Sequence, residues 1–181
     1  MGKGNVNYSV LNMEDLTPNL LKHFNRYQET KRVLFLNKDA LEQKEDYFID
    51  RWDDNKKEDV IDSLKQCIAG NGAVIGAFED SRLIGFANVE GMLFGSIYQY
   101  VELPYIHVSN EVRGMGIGKK LFHYCCLEAE KLGADKLYIA AHPSVETQAF
   151  YKRLGCILAT EINLIILAKE PLDIQLEKHL H

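Results

Sequence analysis

Three glycines at alternate positions, Gly114, Gly116 and Gly118, follow an apolar run and open a segment with helical periodicity. Glycine lets the backbone come close to a ligand, and it tolerates the positive φ angles that some turns need. The first amides of a helix have no partner within the helix, and the helix dipole favours negative charge there. Arg113 and Lys119 add positive charge at the same place. This segment is therefore predicted to bind a phosphate-bearing ligand.

The spacing of these glycines excludes two common phosphate-binding motifs. A P-loop requires GxxxxGK followed by Ser or Thr, but the residue five before Gly118 is Arg113 and Lys119 is followed by a second lysine. A dinucleotide-binding fingerprint requires GxGxxG, whereas these glycines are spaced G-x-G-x-G. What remains is R-x-x-G-x-G, and a glycine-rich turn that only ends a strand is still an alternative at this point.

Length and composition are those of one globular domain. The chain has 181 residues, of which 46% are apolar and 26% charged, and we expect a single domain over residues 1–181. No apolar run is long enough to span a membrane, and the start lacks the apolar core of a signal peptide. The net charge of −5 argues against broad nucleic-acid binding. The four cysteines show no CxxC spacing and fit buried thiols in a reducing compartment. The expectation is a cytoplasmic protein with no metal site.

Before the glycine motif, residues 1–72 are predicted to be mostly helical after a short first strand, and strands follow from residue 73. A short strand is expected at 8–11, a helix from Thr17 to about Gln28, and two further helices between Lys31 and Ile68, the second from about Lys57. Strands at 73–78 and 83–89 are joined by a tight turn. The next strand, 97–108, contains Pro104, which predicts a bulge or irregularity there.

A helix after the glycines, a buried strand at 136–141 and a second helix complete a β-α-β-α unit. The strand at 136–141 should run parallel to the strand at 97–108. Ser144 is predicted to cap the second helix, which ends near Leu154. Two last strands are expected at 156–167 and 174–180. The elements predict one α+β domain.

A second motif lies in the helix that Ser144 begins. It reads Ser-Val-Glu-Thr-Gln-Ala-Phe-Tyr-Lys-Arg-Leu-Gly-Cys and carries the pair Phe150-Tyr151. The two motifs, in this order and with these elements between them, resemble the signatures of the GNAT superfamily of acetyl-CoA-dependent N-acetyltransferases. The second motif departs from that pattern, with Ser144 in place of Asn, Thr147 in place of a small apolar residue and Cys156 in place of Phe. The resemblance covers about the last ninety residues and implies the GNAT fold, an α+β fold with a mixed, mostly antiparallel sheet of six to seven strands and helices on both faces. Residues 73–181 would form the acetyl-CoA-binding core and residues 1–72 a variable, helical, acceptor-side part.

The resemblance also implies a role for each residue of the two motifs. Backbone amides of the glycine segment would hold the pyrophosphate of acetyl-CoA. The backbone of residues 106–108, on a strand splayed from its neighbour, would pair with the pantetheine arm and the acetyl carbonyl, and Ser144 would contact the pantetheine arm. The implied cofactor-binding residues are Ile106, His107, Val108, Arg113, Gly114, Met115, Gly116, Ile117, Gly118, Lys119 and Ser144.

Two residues are candidates for acid–base chemistry. Tyr151 matches the residue that usually protonates the departing CoA thiolate. A phenol with a pKa near ~10 would transfer its proton to a thiolate of pKa ~8.5 only uphill, so donation of a hydrogen bond is the safer prediction. An amine acceptor must lose a proton, and Glu102 lies where the superfamily often carries a base. Glu90 and His107 are further candidates.

The predicted function is transfer of the acetyl group of acetyl-CoA to a primary amine by direct attack in a ternary complex. Residues 39–62 hold ten acidic and four basic side chains, a net of −6, and an acidic wall would attract a cationic amine. A small cationic acceptor is therefore slightly favoured over a protein amine, although solvated outer faces of two helices would give the same count. A homodimer, a non-catalytic acyl-CoA-binding or regulatory module on the same fold, and a general nucleotide-binding protein remain open.

Overall fold

The computed structural model describes residues 5–181, which form ten β-strands and four α-helices. The strands are β1 (Asn7–Leu11), β2 (Tyr27–Asn37), β3 (Ala40–Arg51), β4 (Ala73–Glu79), β5 (Arg82–Val89), β6 (Tyr100–Glu102), β7 (Ile106–Val108), β8 (Lys136–Ala141), β9 (Ile157–Leu158) and β10 (Ile174–His179). The helices are α1 (Asp54–Ala69), α2 (Ile117–Lys131), α3 (Val145–Arg153) and α4 (Leu164–Lys169). No helix in residues 5–181 is long and apolar enough to cross a membrane.

The strands form two four-stranded sheets and a separate hairpin. The strand orders are β1-β4-β5-β7 and β6-β8-β10-β9, and the hairpin pairs β2 with β3. All pairs are antiparallel except β6 with β8, which is parallel as predicted. Helix α2 packs in one apolar core, while α1 packs in a second core together with residues of the turns before β2. The predicted α+β fold with a mostly antiparallel sheet is confirmed.

The predicted strand 97–108 is two strands that belong to different sheets. Its first part, β6, pairs with β8, and the last bond of that ladder runs from the N–H of Leu103 to the carbonyl of Tyr138 (2.9 Å). Its second part, β7, pairs with β5 instead. Between them lies Pro104, which has no N–H to continue the ladder with β8. The predicted irregularity is confirmed, and it opens a gap between β7 and β8.

The helices predicted between Thr17 and residue 50 are wrong. Residues 18–23 form turns, and 27–51 form the β2–β3 hairpin. The Lys, Glu, Gln and Leu residues of this segment favour a helix when considered locally. Pairing across the hairpin overrides that preference, with opposite charges at Arg32 and Glu45 on facing positions. The later helix, predicted from Lys57, is confirmed as α1, which Asp53 caps through the N–H of Lys56 (2.8 Å).

The strand predicted at 156–167 is also wrong beyond its start. Only Ile157–Leu158 pairs with β10, and α4 begins six residues later. The side chain of Asn163 accepts hydrogen bonds from the N–H groups of Ile165 and Ile166, which starts a helix in an apolar segment that could equally be a strand. The turn before β5, the strand β10 and the Ser144 cap of α3 agree with the predictions.

A buried ion pair and a tyrosine hydroxyl join three adjacent strands of the second sheet, at the end where β6 and β8 are paired. Nζ of Lys136 on β8 lies 2.7 Å from Oε1 of Glu177 on β10, and both side chains are at most 1% exposed. The hydroxyl of Tyr100 on β6 donates to the other oxygen of Glu177 (2.7 Å). Burial alone would lower the pKa of Lys136 and raise that of Glu177, but their hydrogen bond shifts both pKa values the other way, so both groups stay charged.

Removal of one partner of this pair should destabilise the protein. Glu177→Gln leaves the Lys136 ammonium buried without its counter-charge, and we expect a loss of about 3–5 kcal/mol in the free energy of unfolding. The double variant Lys136→Met/Glu177→Leu should recover most of that loss because it removes both charges. Urea denaturation measures both. Asp62→Asn, which breaks an exposed ion pair with Lys65, is the control and should change stability by less than about 1 kcal/mol.

Candidate active site

The start of α2 presents unpaired backbone amides. Gly116 is the N-cap residue with φ 84°, and no side chain caps the helix. The amides of Ile117, Gly118 and Lys119 occupy the first turn, where a helix offers no internal acceptor. Gly114 also has a positive φ of 78°, and a Cβ added at Gly114 or Gly116 would meet no atom within 4 Å. The glycines thus supply the left-handed backbone and leave open space beside the amides, which fits a bound pyrophosphate.

The third glycine joins the two sequence motifs. A Cβ at Gly118 would lie 3.2 Å from Cε2 of Phe150 on α3, closer than ordinary van der Waals contact. Because Gly118 has no side chain, the Phe150 ring packs directly on the first turn of α2. The ring of Tyr151 lies 5.1 Å from that of Phe150 and 6.2 Å from that of Phe122, so the two helices hold Tyr151 in place.

The gap between β7 and β8 exposes two backbone amides. On the β5 side, the N–H of Asn88 donates to the carbonyl of Tyr105 and the N–H of Ser109 donates to the carbonyl of Ile84. Hydrogen bonds alternate along an antiparallel ladder, so the N–H groups of Ile106 and Val108 point away from β5, into the gap. This edge of β7 is where an extended pantetheine arm and an acetyl carbonyl can be held by backbone hydrogen bonds.

A cavity of ≈ 1070 Å³ connects these features. Ten of the predicted site residues line it: Ile106, His107, Val108, Arg113, Gly114, Gly116, Ile117, Gly118, Lys119 and Tyr151. Nε of Arg113 donates to the carbonyl of Val108 (3.0 Å), which links the glycine segment to the end of β7. Three predicted residues, Met115, Ser144 and Glu102, do not line the cavity, and the 52% exposed side chain of Met115 faces solvent.

Ser144 is fully buried and its hydroxyl is already engaged. The oxygen accepts from the N–H of Thr147 (3.2 Å) and from Nε2 of Gln28 (3.2 Å), and the hydroxyl donates to Oγ1 of Thr147 (2.8 Å). Thr147 itself lines the cavity. In this arrangement Ser144 fixes the start of α3 and holds Thr147, and Thr147 is the side chain that reaches the cavity.

Tyr151 lies at the inner wall of the cavity and is 4% exposed. Burial raises the pKa of its phenol far above the ordinary value of 10. The phenol therefore stays protonated at neutral pH and can donate a hydrogen bond. Proton transfer to a thiolate is still further uphill than the ordinary pKa values indicate, which strengthens the case for hydrogen-bond donation.

Three carboxyl groups near the gap have raised pKa values. Burial raises the pKa of Glu102 and that of Glu90, and the N–H of Glu90 donates to the carbonyl of Glu102 (2.9 Å). On the other side of β8, burial and the charges of Glu170 and Asp50 raise the pKa of Asp173 to about 7. Asp173 directly precedes Ile174, which pairs with Ala141 at the end of β8 that lies next to the gap. It is a candidate base that the sequence did not indicate.

One face of the β2–β3 hairpin covers the gap. Arg26, Gln28, Asp50 and Trp52 lie on this face, and Arg26 and Gln28 line the cavity. The Trp52 ring lies 4.9 Å from that of His107 on β7, and Oδ2 of Asp50 lies 3.3 Å from Nε2 of His142 at the end of β8. Burial and the nearby charges of Arg26 and Arg113 lower the pKa of His107, so it is neutral at physiological pH.

These hairpin residues carry no motif, and nothing in the local sequence indicates their role. Asp50 belongs to the acidic segment of residues 39–62, for which an acidic wall beside the cofactor was one of two interpretations. Nine of its ten acidic residues are solvent-exposed, on the outer surfaces of the hairpin and α1, and Asp50 is the exception. The field of the segment in the cleft therefore comes mainly from a single carboxylate.

Comparison with known proteins agrees with this geometry. The model of the acetyltransferase (GNAT) family matches residues 27–156. Solved structures with the same fold include nourseothricin acetyltransferase (15% identity, 97% of this chain and 99% of that chain, TM-score 0.69) and a Bacillus anthracis protein named as a putative streptothricin acetyltransferase, in complex with acetyl coenzyme A (15% identity, 97% of this chain and 98% of that chain, TM-score 0.67). Aminoglycoside 6'-acetyltransferase type Ii is also similar (16% identity, 97% of each chain, TM-score 0.62). No curated protein sequence matches.

The fold and the site define an acyltransferase of the acyl-CoA-binding type. Because the family model covers more than half of the chain, the protein belongs to the GNAT acetyltransferase family, and its cosubstrate is acetyl-CoA.

The role of the glycine segment can be tested with a matched pair of variants. Gly116→Glu strains a backbone at φ 84° and places a carboxylate beside the amides of α2, so we expect CoA to bind at least about 100-fold more weakly. Gly133→Glu is the control, because Gly133 has φ 83°, also faces open space and lies at the other end of α2. Calorimetric titration with CoA measures both. Equal affinity of the two variants would contradict the assignment.

Proposed function

We propose that the protein acetylates a primary amine of a small molecule, by direct attack of the amine on acetyl-CoA while both are bound. The observation that carries this proposal is the gap between β7 and β8, where the amides of Ile106 and Val108 face the same cavity as Tyr151. An acetyl carbonyl held by these amides would have its developing negative charge stabilised by preorganised donors. Tyr151 would donate a hydrogen bond to the departing thiolate.

Direct attack is favoured over a route through an acetylated cysteine. None of the cysteines lines the cavity in the described part of the chain. Burial raises the pKa of Cys67 and Cys156 to about 12 and that of Cys126 to about 11, so these thiols are not ionised at neutral pH. Since the thiolate is the nucleophilic form, they are poor acetyl acceptors.

A small acceptor is favoured because the hairpin covers the gap. The N–H of Leu34 on β2 donates to the carbonyl of Pro143 (2.8 Å), and Val33 bridges to Ser144. The hairpin is thus tied to the start of α3 and narrows the approach to the transferred group. Among structures with this fold, the names of several refer to small-molecule acceptors, whereas one is a ribosomal-protein-alanine N-acetyltransferase.

The test of this function is release of free thiol from acetyl-CoA with a panel of primary amines that includes amino acids, polyamines, aminoglycosides and peptides. We expect turnover with small amines. Tyr151→Phe should lower kcat by roughly 10- to 100-fold, because one hydrogen bond to a charged group is lost, and should leave the affinity for acetyl-CoA unchanged. A wild-type protein that releases no thiol above hydrolysis with any amine would refute the proposal.

We propose Glu102 as the group that accepts the proton of the amine, with Asp173 as the second candidate; because neither side chain lines the cavity, the proton would reach it through water. A carboxylate base works only when ionised, so kcat/KM should fall as the pH drops below its raised pKa, which for Asp173 is about 7. Replacement of the true base, in Glu102→Gln or Asp173→Asn, should lower kcat/KM at least about 100-fold and remove this acid limb. The pH profiles of the two variants distinguish between the two candidate bases. An acid limb of kcat/KM that persists in both variants would exclude both carboxylates.

A further inference from the structure

Three buried side-chain atoms have no hydrogen-bond partner in the described residues, and all three lie on the hairpin face that covers the gap. They are Nε and Nη1 of Arg26 and Oγ1 of Thr30, while a further buried atom on this face, Oδ2 of Asp50, has only Nε2 of His142 near it, at 3.3 Å. Gln28 pairs with Asp50 and Thr30 with Phe48, while the N–H of Trp52 donates to the carbonyl of Arg26. These are alternate residue pairs of the ladder, so their side chains lie on one face of the hairpin. Buried polar atoms in proteins nearly always have partners. Their concentration here indicates that a ligand supplies them.

Arg26 defines the charge of that ligand. Its side chain lines the cavity, is 8% exposed and lies 5.8 Å from the centre of the Trp52 ring. Within residues 5–181 it forms no ion pair. Asp50 lies on the same face of the hairpin, two residue pairs further along the ladder. Burial lowers the pKa of the guanidinium to about 10, so it is still cationic at neutral pH. A buried guanidinium without a counter-ion is the place where an anionic group of a ligand binds, most favourably a carboxylate held by two parallel hydrogen bonds.

The position of Arg26 favours the acceptor over acetyl-CoA as the source of that anion. The phosphates are expected at the start of α2, where the glycines and Lys119 lie. Arg26 packs against Trp52, which contacts His107 on β7, and Asp50 on the same face contacts His142, the residue that follows β8. This face therefore lies over the point of acetyl transfer. The Asp50 carboxylate would repel a phosphate but would attract a protonated amine.

We propose that the acceptor is an amino acid or a related small molecule, whose carboxylate binds Arg26 and whose amine lies towards Asp50. This inference rests on the proposed acetylation of a small amine and specifies its substrate class. A face with one cation and one anion matches a zwitterion better than a polycation, which would place a second positive charge against Arg26. Arg26 is thus a specificity-determining residue and does not itself take part in bond changes.

The only tryptophan of the chain, Trp52, lies beside Arg26 and provides the measurement. The protein is saturated with CoA and titrated with N-acetyl-amino acids that carry small, apolar, aromatic or charged side chains, each compared with its uncharged carboxamide. Trp52 fluorescence reports binding without turnover. We expect at least one N-acetyl-amino acid to bind roughly 10- to 100-fold more tightly than its carboxamide, because a charged hydrogen-bonded pair is lost in the carboxamide.

Substitution of Arg26 should remove this preference. In Arg26→Gln the carboxylate and carboxamide forms should bind alike, with CoA affinity unchanged, and Arg26→Lys should retain part of the preference because it keeps the charge but loses the planar fork. Arg51→Gln is the matched control, since Arg51 lies on the same hairpin but on its exposed, opposite face. Neither Arg26 variant should lower the melting temperature by more than a few degrees, because within residues 5–181 Nε and Nη1 of Arg26 have no hydrogen-bond partner to lose and only the packing against Trp52 changes.

Three results would overturn the proposal. The wild-type protein could bind N-acetyl-amino acids and their carboxamides equally well, or it could bind no N-acetyl-amino acid at millimolar concentration. Weaker CoA binding in Arg26→Gln would assign the anion to CoA.

The thiol-release assay separates these failures from failure of acetylation itself. Turnover of amines that lack an acid group, with no carboxylate preference, leaves the acetyltransferase function in place and removes the zwitterion site. Binding of N-acetyl-amino acids with a carboxylate preference, but without turnover of any amine, would instead keep the carboxylate site and refute the acetyltransferase function.

Discussion

The structure depends on the point at which one strand changes partner. Residues 100–103 are bonded to β8, residues 105–109 are bonded to β5, and Pro104 between them cannot donate to either ladder. A sheet that stayed closed here would satisfy the amides of Ile106 and Val108 with the backbone of β8. Because it opens, these amides are left for a ligand, and the cavity, the buried Tyr151 and the start of α2 are all arranged around the opening.

An open sheet needs support on both sides of the opening. At the end where β6 and β8 remain paired, buried hydrogen bonds among Lys136, Glu177 and Tyr100 link β8, β10 and β6 and help to hold the parallel pair in register. At the open end the β2–β3 hairpin lies across the gap and is tied to Pro143 and Ser144. The first contact fixes the register of the strands, while the second encloses the space that the splay creates. The hydroxyl of Ser144, fully buried between Gln28 and Thr147, belongs to this second contact.

The two sides of the site differ in how well the sequence predicts them. The cofactor side is formed by local backbone geometry, and local geometry follows from local sequence: positive φ at Gly114 and Gly116 requires glycine, and packing of Phe150 on Gly118 requires the absence of a side chain. Ten of the thirteen predicted residues accordingly line one cavity. The hairpin was missed because its charged residues have high helix propensity, and only pairing between positions far apart in the sequence, such as Arg32 with Glu45, makes them strands. Arg26 and Asp50 meet the site only through that pairing.

The same distinction explains why a count of charges along the chain gives an incomplete picture of the acceptor. Ten acidic residues in one segment suggest a surface for cations, but a strand directs alternate side chains to opposite faces, and a helix exposes one side to water. After folding, nine of the ten acidic residues face solvent, where ions screen them within about 10 Å. The charges that act on a bound acceptor are those that face the cleft, and on the hairpin face that covers the gap these are the buried guanidinium of Arg26 and the carboxylate of Asp50, whose side chain is 37% exposed. The electrostatics of this cleft thus depend on which residues of the hairpin face inward and not on the net charge of the segment.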